Sequence, residues 1–169
     1  MSKVIVGIDP GISHTGVAVI DRDRNVIHTS VIHTYSRWAL QRRVGTIQRA
    51  VSDVLRTVRS EGHEVELGIV EGFTFWGGRK HDLGMFIRSA VVTGAATAAA
   101  ILGMGGVDAK TASPAEWRRG IGVDMTRKTT RAERKASVMD AVVAHLGDQP
   151  DGQPDHVTDA LGLAIFGLD

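Results

Sequence analysis

The first 34 residues contain three runs of mostly β-branched residues that are joined by short connections. The runs are KVIVGI at 3–8, GVAVID at 16–21 and NVIHTSVIHT at 25–34, and DRDRN supplies the turn between the last two. Runs of this length and composition predict strands. Because strands joined by short turns pair side by side in opposite directions, we predict a three-stranded antiparallel meander.

The rest of the chain alternates predicted helices with predicted strands. Ser36 is a candidate cap for a helix over 37–60, because apolar residues recur there at three- and four-residue steps. The later predicted elements are a strand over 65–73, a helix over 82–102, a strand at GVDAKT, a helix from SPAEWRR, and helices over 131–146 and 155–167. The fold class is therefore α/β, with helices packed on a mixed sheet. No long linker divides the chain, so we expect one domain over residues 1–169.

Composition excludes several classes of protein. The chain has no cysteine, which rules out disulfides, thiolate zinc sites and cysteine nucleophiles. The opening MSKVIVGIDPG lacks the features of a secretory signal, and the uncharged residues 89–107 are mostly Ala, Gly and Thr, too weakly apolar for a membrane span. We expect a cytoplasmic protein with no membrane partner, with an organelle or a virus-infected cell as the alternative setting.

Charge is unevenly distributed although the formal net charge is only +1. The range 37–61 has six arginines and two acids, and 118–135 has seven Lys or Arg and two acids. The range 136–169 has six aspartates and no Lys or Arg. Each basic run can be a solvated helix face, but two basic strips around an acidic end favour phosphate binding beside a metal site.

Two acids stand at the ends of predicted buried strands. Asp9 ends the first strand and precedes Pro10-Gly11, and Glu71 stands near the end of the strand over 65–73. Sites in α/β sheets gather at the carboxyl ends of strands, so these acids can converge if the strands are neighbours. The structural alternatives are an Asx-turn for Asp9 and a salt bridge to an arginine for Glu71.

The last predicted helix begins with three more ionisable groups. Asp155, His156 and Asp159 have the spacing of one helix face, and Pro154 before them favours N-capping by Asp155. The apolar residues that follow place this helix against the core. Carboxylates with one imidazole suit Mg²⁺ or Mn²⁺.

Four segments in this order resemble one family over nearly the whole chain. GIDPGISHTGVAVI, IVEGF, a GIG followed by basic residues, and DHVTDALGLAI are similar to the RuvC family of Holliday junction resolvases, in the RNase H-like superfamily. The resemblance implies an RNase H-like fold with a mixed five-stranded sheet, three antiparallel strands followed by parallel strands, and helices on both faces.

The resemblance also implies a site and a reaction. Its metal-binding catalytic set is Asp9, Glu71, His156 and Asp159, with Asp155 as a cap or an outer-shell group. Two Mg²⁺ or Mn²⁺ ions would activate water and stabilise the leaving 3′-oxygen. The implied enzyme is a crossover junction endodeoxyribonuclease of DNA recombination and repair, which resolves four-way junctions by paired symmetric nicks and leaves 5′-phosphate and 3′-hydroxyl ends.

The same resemblance implies DNA contacts and a homodimer. An aromatic residue after the glutamate stacks at the junction crossover, and core filling is the alternative for these aromatics. The predicted DNA-binding residues are Phe73, Phe75, Arg79, Lys80, Arg118, Arg119, Arg127, Lys128 and Lys135. We choose Lys135 as the match to the family's lysine. The small-residue helix SAVVTGAATAAAILG can pack within one chain or between two.

Competing functions stay open at this point. A nuclease of the same fold can debranch flaps and forks, or process RNA, although IVEGF argues against the RNA enzymes. A non-catalytic junction-binding module is a third alternative, but acids beside phosphate only weaken binding. Actin-like kinases share a similar opening motif, but they need two such domains, for which 169 residues are too few.

Overall fold

The computed structural model describes residues 1–72, 83–103, 108–124, 130–147 and 154–169, and a mixed sheet lies at its centre. The strands are β1 (Lys3–Pro10), β2 (His14–Asp21), β3 (Val26–His33), β4 (Glu64–Glu71) and β5 (Ala109–Ala112). The order is β3-β2-β1-β4-β5. β1, β2 and β3 form the predicted antiparallel meander, and β4 and β5 continue the sheet in parallel with β1. The predicted five-stranded mixed sheet is confirmed.

Helices cover both faces of this sheet. α1 (Leu40–Ser60) and α2 (Leu83–Gly103) pack on one face, where Ile47, Val51 and Leu55 meet alternate residues of β1 and β2. α3 (Pro114–Gly120), α4 (Arg131–Leu146) and α5 (Asp155–Phe166) pack on the other face. Because β1 is covered on both sides, its residues from Val4 to Asp9 are all buried. In the described parts of the chain, no helix has the length and apolar character needed to cross a membrane.

Two helix starts have complete capping boxes, and a third differs from its prediction. Ser113 with Glu116 caps α3, and Thr130 with Glu133 caps α4. The prediction that Ser36 caps α1 is wrong. Trp38 N donates to Tyr35 O in a turn, so the helix begins only at Leu40, and its N-cap residue makes no side-chain hydrogen bond.

Glycines let α5 approach the sheet closely. A Cβ atom at Gly7 of β1 would overlap the carbonyl oxygen of Ala160 and lie 2.6 Å from Ala164 N. A Cβ atom at Gly16 of β2 would overlap the carbonyl oxygen of His156. The backbone of α5 therefore lies directly on β1 and β2, with its first turn above the pair Asp9↔Gly16.

Gly7→Ala tests this close contact. We expect it to lower the free energy of unfolding by about 3 kcal/mol, because the clash is with helix backbone, which cannot turn aside. Urea unfolding monitored by circular dichroism measures the change. Gly45→Ala in α1 is the matched control, since the nearest atom to its added Cβ is Arg49 Nη1 at 3.9 Å. This control should gain about 0.5–1 kcal/mol, and equal stability of Gly7→Ala and the wild type would contradict the packing.

Candidate active site

Asp9 and Glu71 lie side by side at one edge of the sheet. β1 and β4 are parallel neighbours paired up to Ile8↔Val70, and each acid is the next residue of its strand. Side chains alternate along a strand, and Ile5 and Ile69 both point into the core beneath α5. Asp9 and Glu71 therefore point to that same face. The convergence predicted from the strand ends is confirmed for these two residues.

The first turns of α5 bring His156 and Asp159 to the same edge. His156 Nδ1 lies 2.5 Å from Asp9 Oδ2, so the imidazole and the carboxylate share a hydrogen bond. Asp159 follows one turn later, and its side chain is 26% exposed. One helix and two strands thus bring all four predicted ligands to one place.

A tryptophan and an arginine of α3 complete the surroundings of the acids. The indole Nε1 of Trp117, which is fully buried, donates to Glu71 Oε1 at 2.9 Å. Arg118 Nη2 lies 3.6 Å from Glu71 Oε1 and 3.9 Å from Asp159 Oδ2. Its Nε is buried and has no hydrogen-bond partner in the described part of the chain. The Arg118 guanidinium is therefore a counter-ion that two acids share.

Two acids of the site, Glu71 and Asp159, have raised pKa values. Burial raises the pKa of Glu71 to about 7, and repulsion from Asp9 adds to the rise, while Trp117 and Arg118 oppose it. Burial, followed by repulsion from Asp9, raises the pKa of Asp159 to about 6. The hydrogen bond to Asp9 raises the pKa of His156. The cluster thus has more negative charge than its protein cations neutralise.

A second histidine holds the ring of His156. The His14 ring, at the start of β2, stacks on His156 with centroids 5.4 Å apart and planes 14° apart. His33, opposite His14 in the strand register, meets the His14 ring edge-on at 5.0 Å. With Nδ1 bonded to Asp9, this stacking leaves His156 little freedom to rotate.

The donor set fits a hard divalent cation. In the described part of the chain, no three acidic or histidine side chains are grouped closely enough to ligate one ion. Magnesium, however, needs only one or two carboxylates, because water and substrate phosphate fill its other positions. Asp9, Glu71, His156 and Asp159 could hold such ions, and an added cation would offset the burial and the repulsion from Asp9 that raise the pKa of Glu71.

A basic cleft opens beside Asp159. Its volume is about 380 Å³. The lining residues are Arg118, Arg131, Arg134, Lys135, Val138 and Asp159. Two predicted DNA-binding residues, Arg118 and Lys135, therefore lie at the site, whereas Arg119 is exposed and does not line this cleft. The cleft suits an anionic chain that passes the acids.

Asp155 does not cap its helix. The N-cap position belongs to Pro154, and Asp155 is the first helical residue. From there its carboxylate accepts a hydrogen bond from Lys135 Nζ instead of from the first backbone N–H groups. The predicted capping role is wrong because Pro154 takes that position.

Several predicted DNA-binding residues lie outside the described residues. These are Phe73, Phe75, Arg79, Lys80, Arg127 and Lys128. Their roles stay predictions.

The chain matches the model of the family described as crossover junction endodeoxyribonuclease RuvC over residues 5–167. This chain belongs to the RuvC family. The predicted family and enzyme class are confirmed, and RuvC enzymes are metal-dependent nucleases.

Relatives and solved structures agree with this family. RuvC of Thermus thermophilus is 27% identical over 168 residues, covering 96% of this chain and 91% of the relative. The structure of T. thermophilus RuvC in complex with a Holliday junction substrate has a TM-score of 0.73 at 26% identity, with coverages of 97% and 91%. The yeast mitochondrial Holliday junction resolvase Ydc2 matches at 12% identity with a TM-score of 0.53, covering 97% of this chain and 77% of that one, and supports the fold alone. The RNase H-like fold is confirmed.

Sequence reasoning missed Trp117 and His14. A buried indole needs an acceptor, so the tryptophan in SPAEWRR was a signal for a nearby polar group, although not for which one. His14 stands within the quoted segment GIDPGISHTG, but its partner is 142 positions away, His156. Both contacts depend on how the helices pack on the sheet.

Neutralising Glu71 should stabilise the metal-free protein. The folded-state pKa of Glu71, about 7, lies above the ordinary 4.5, so the folded state binds more protons and stability falls as pH rises between these values. In EDTA at pH 8 we expect Glu71→Gln to raise the free energy of unfolding by up to about 3 kcal/mol, with the gain gone near pH 4. Urea unfolding across this range measures it.

Glu66→Gln is the matched control with the opposite sign. Arg22 lowers the pKa of Glu66, so this substitution should reduce stability at pH 8. A Glu71→Gln protein that follows the wild-type pH dependence would contradict the raised pKa of Glu71.

Proposed function

We propose that this chain resolves four-way DNA junctions by metal-dependent phosphodiester hydrolysis, as a single nuclease domain over residues 1–169. The supporting observation is that Asp9, Glu71 and Asp159 lie together at one sheet edge in a member of the RuvC family. The RuvC of T. thermophilus has a structure in complex with a Holliday junction substrate, which supports the same substrate here.

The catalytic set comprises Asp9, Glu71, His156 and Asp159, with Mg²⁺ or Mn²⁺ as the cofactor and two ions in each site. Bound divalent cations supply positive charge for the attacking water and for the leaving 3′-oxygen. Asp9 would hold both ions, because its carboxylate is close enough to Glu71 and to Asp159 to repel each of them. Glu71 and Asp159 then each serve one ion.

His156 orients Asp9 and the water. Its Nδ1 is bonded to the Asp9 carboxylate, so Nε2 is left for a water or an ion. Stacking on His14 keeps that nitrogen in a constant direction. Asp155 holds the ammonium group of Lys135 beside the cleft as an outer-shell group.

The basic cleft guides the DNA strand to the acids. Arg118 and Lys135 line this cleft together with Asp159, so a phosphate in the cleft has two cations beside the carboxylate. Arg118 also offsets the charge of Glu71 and Asp159 until the substrate and its cations arrive. Further proposed contacts to the DNA backbone are those of Arg119, Arg127 and Lys128. We also propose that Phe73 or Phe75 stacks at the crossover and that Arg79 and Lys80 bind phosphate there.

Paired nicks require two sites. A homodimer with a two-fold axis gives each of two opposed strands one site, and the products have 5′-phosphate and 3′-hydroxyl ends. We place this activity in the cytoplasm.

Cleavage of a substrate panel tests this function. The panel is a mobile four-way junction, a flap, a linear duplex and a hairpin RNA, each incubated with Mg²⁺, Mn²⁺ or EDTA. We expect paired symmetric nicks in the junction alone, and only with metal. Asp9→Asn should reduce cutting by about 100- to 1000-fold, the scale of losing an electrostatic catalytic group, and should keep junction binding, which a gel-shift assay measures.

Asp53→Asn is the matched control, because Asp53 is an exposed residue of α1 paired only with Arg56 among the described residues. It should cut normally. Equal cutting of flaps would favour a debranching nuclease, and cutting of the hairpin would favour an RNA enzyme. Binding without cutting under every metal would refute catalysis.

A further inference from the structure

Two aromatic residues and two arginines form an exposed group where β3 leads into α1. We name Tyr35, Arg37, Trp38 and Arg42 the β3–α1 patch. The guanidinium carbon of Arg37 lies 5.0 Å from the Tyr35 ring centroid, and that of Arg42 lies 4.3 Å from the Trp38 centroid. The two rings meet edge to face at 5.0 Å, and Tyr35 is 53% exposed. Each ring thus supports one arginine.

Within the described residues, these arginines lack carboxylate partners such as those of the surface residues Arg22 and Arg56. Arg22 pairs with Glu66, and Arg56 pairs with Asp53. The sequence has no acid at all over residues 24–52, and within the described ranges neither Arg37 nor Arg42 forms an ion pair. An aromatic ring that stacks on the flat face of a guanidinium restricts the motion of that group. The charge and the in-plane N–H donors of the guanidinium remain available for another partner. The two arginines of the β3–α1 patch can therefore bind an anion.

Hydrogen bonds attach the β3–α1 patch to the loop that follows Asp9. Thr34, next to Tyr35, donates through its backbone N to Ser13 O at 3.0 Å and through its hydroxyl to Ile12 O. The buried Arg43 donates to Thr34 Oγ1 and to Ser13 Oγ, each at 2.9 Å. The patch therefore has a defined position relative to the acids.

A row of histidines connects the β3–α1 patch with the candidate active site. His156, bonded to Asp9, stacks on His14, which meets His33 at the end of β3. The strand register pairs Asp9 with Gly16 and Gly16 with Val31, and Tyr35 follows Val31 by four residues. At about 4.8 Å per strand across the sheet and about 3.3 Å per residue along it, the patch begins roughly 16 Å from Asp9. Successive phosphates of one DNA strand advance about 3.4 Å along the helix, so this distance corresponds to about five nucleotides.

We infer that Arg37 and Arg42 of the β3–α1 patch bind backbone phosphates of the DNA about five nucleotides from the cut. This inference rests on the proposed function, since it takes the scissile phosphate to lie at Asp9. The basic cleft and the patch then hold the strand on opposite sides of the acids. The contact is electrostatic and independent of base sequence, because a guanidinium reads a phosphate and not a base edge.

The salt dependence of junction binding tests the inference. With the full-length protein in EDTA, so that no cutting occurs, the dissociation constant for a four-way junction is measured by fluorescence anisotropy over a salt series. Each lost phosphate contact lowers the slope of log K against log salt by about 0.9. We expect Arg37→Gln/Arg42→Gln to bind more weakly with a slope about 1.8 smaller. Both side chains are exposed, so the urea midpoint should not change.

Two further variants separate the effect of charge from the effect of the aromatic rings. Arg56→Gln removes the same charge from the same helix, but that arginine is already paired with Asp53, so its slope should equal that of the wild type. Tyr35→Leu/Trp38→Leu keeps both charges and removes the supports, so it should weaken binding while nearly keeping the slope.

The location is tested with uncharged methylphosphonate linkages placed about four to six nucleotides from the cut, on either side. They should weaken binding by the wild type and leave binding by Arg37→Gln/Arg42→Gln unchanged. If the wild type binds and cuts the junction but the double variant keeps the full slope, the inference is overturned and the proposed function stands. If the wild type neither binds nor cuts the junction, the proposed function itself fails.

Discussion

The burial of Asp9 and the partial burial of Glu71 and Asp159 beside it, with the repulsion among these three carboxylates, form the constraint on which the rest of this structure depends. Asp9, Glu71 and Asp159 come from three separate elements and share one sheet edge. The protein answers with one shared guanidinium, Arg118, and one imidazole, His156. The pKa of Glu71 is nevertheless raised to about 7, so compensation is incomplete. Such a cluster is costly for folding and useful for holding cations, which agrees with a metal-dependent nuclease family.

Close packing keeps these groups in place. α5 touches the backbone of β1 and β2 because Gly7 and Gly16 have no side chain there. On its other side, Gly162 makes room for the ring of Trp117, from which a Cβ atom would lie 2.5 Å. The same Trp117 donates to Glu71, so the contact that positions α3 on α5 also positions a catalytic candidate. Core packing and site geometry are thus set by the same few residues.

The sequence predicted the parts of this arrangement that depend on local pattern. Runs of β-branched residues predicted the strands, and strand ends and helix spacing predicted Asp9, Glu71, His156 and Asp159. The order of strands in the sheet, and hence the adjacency of Asp9 and Glu71, needed the fold. The predictions that Asp155 and Ser36 cap helices are wrong. Both are residue types that cap helices well, but the N-cap of α5 is Pro154 and the N-cap of α1 is Ala39. Contacts such as His14 with His156 join distant segments and have no local signal.

Anomalous diffraction from crystals of this protein soaked in Mn²⁺ tests directly whether these acids hold metal ions. We expect manganese peaks beside Asp9 with oxygens of Glu71 and Asp159 as ligands, and an Arg118 guanidinium that has moved away from both acids. Crystals in which Arg118 still pairs with Glu71 and Asp159 at millimolar Mn²⁺, with no peak at Asp9, would contradict this expectation.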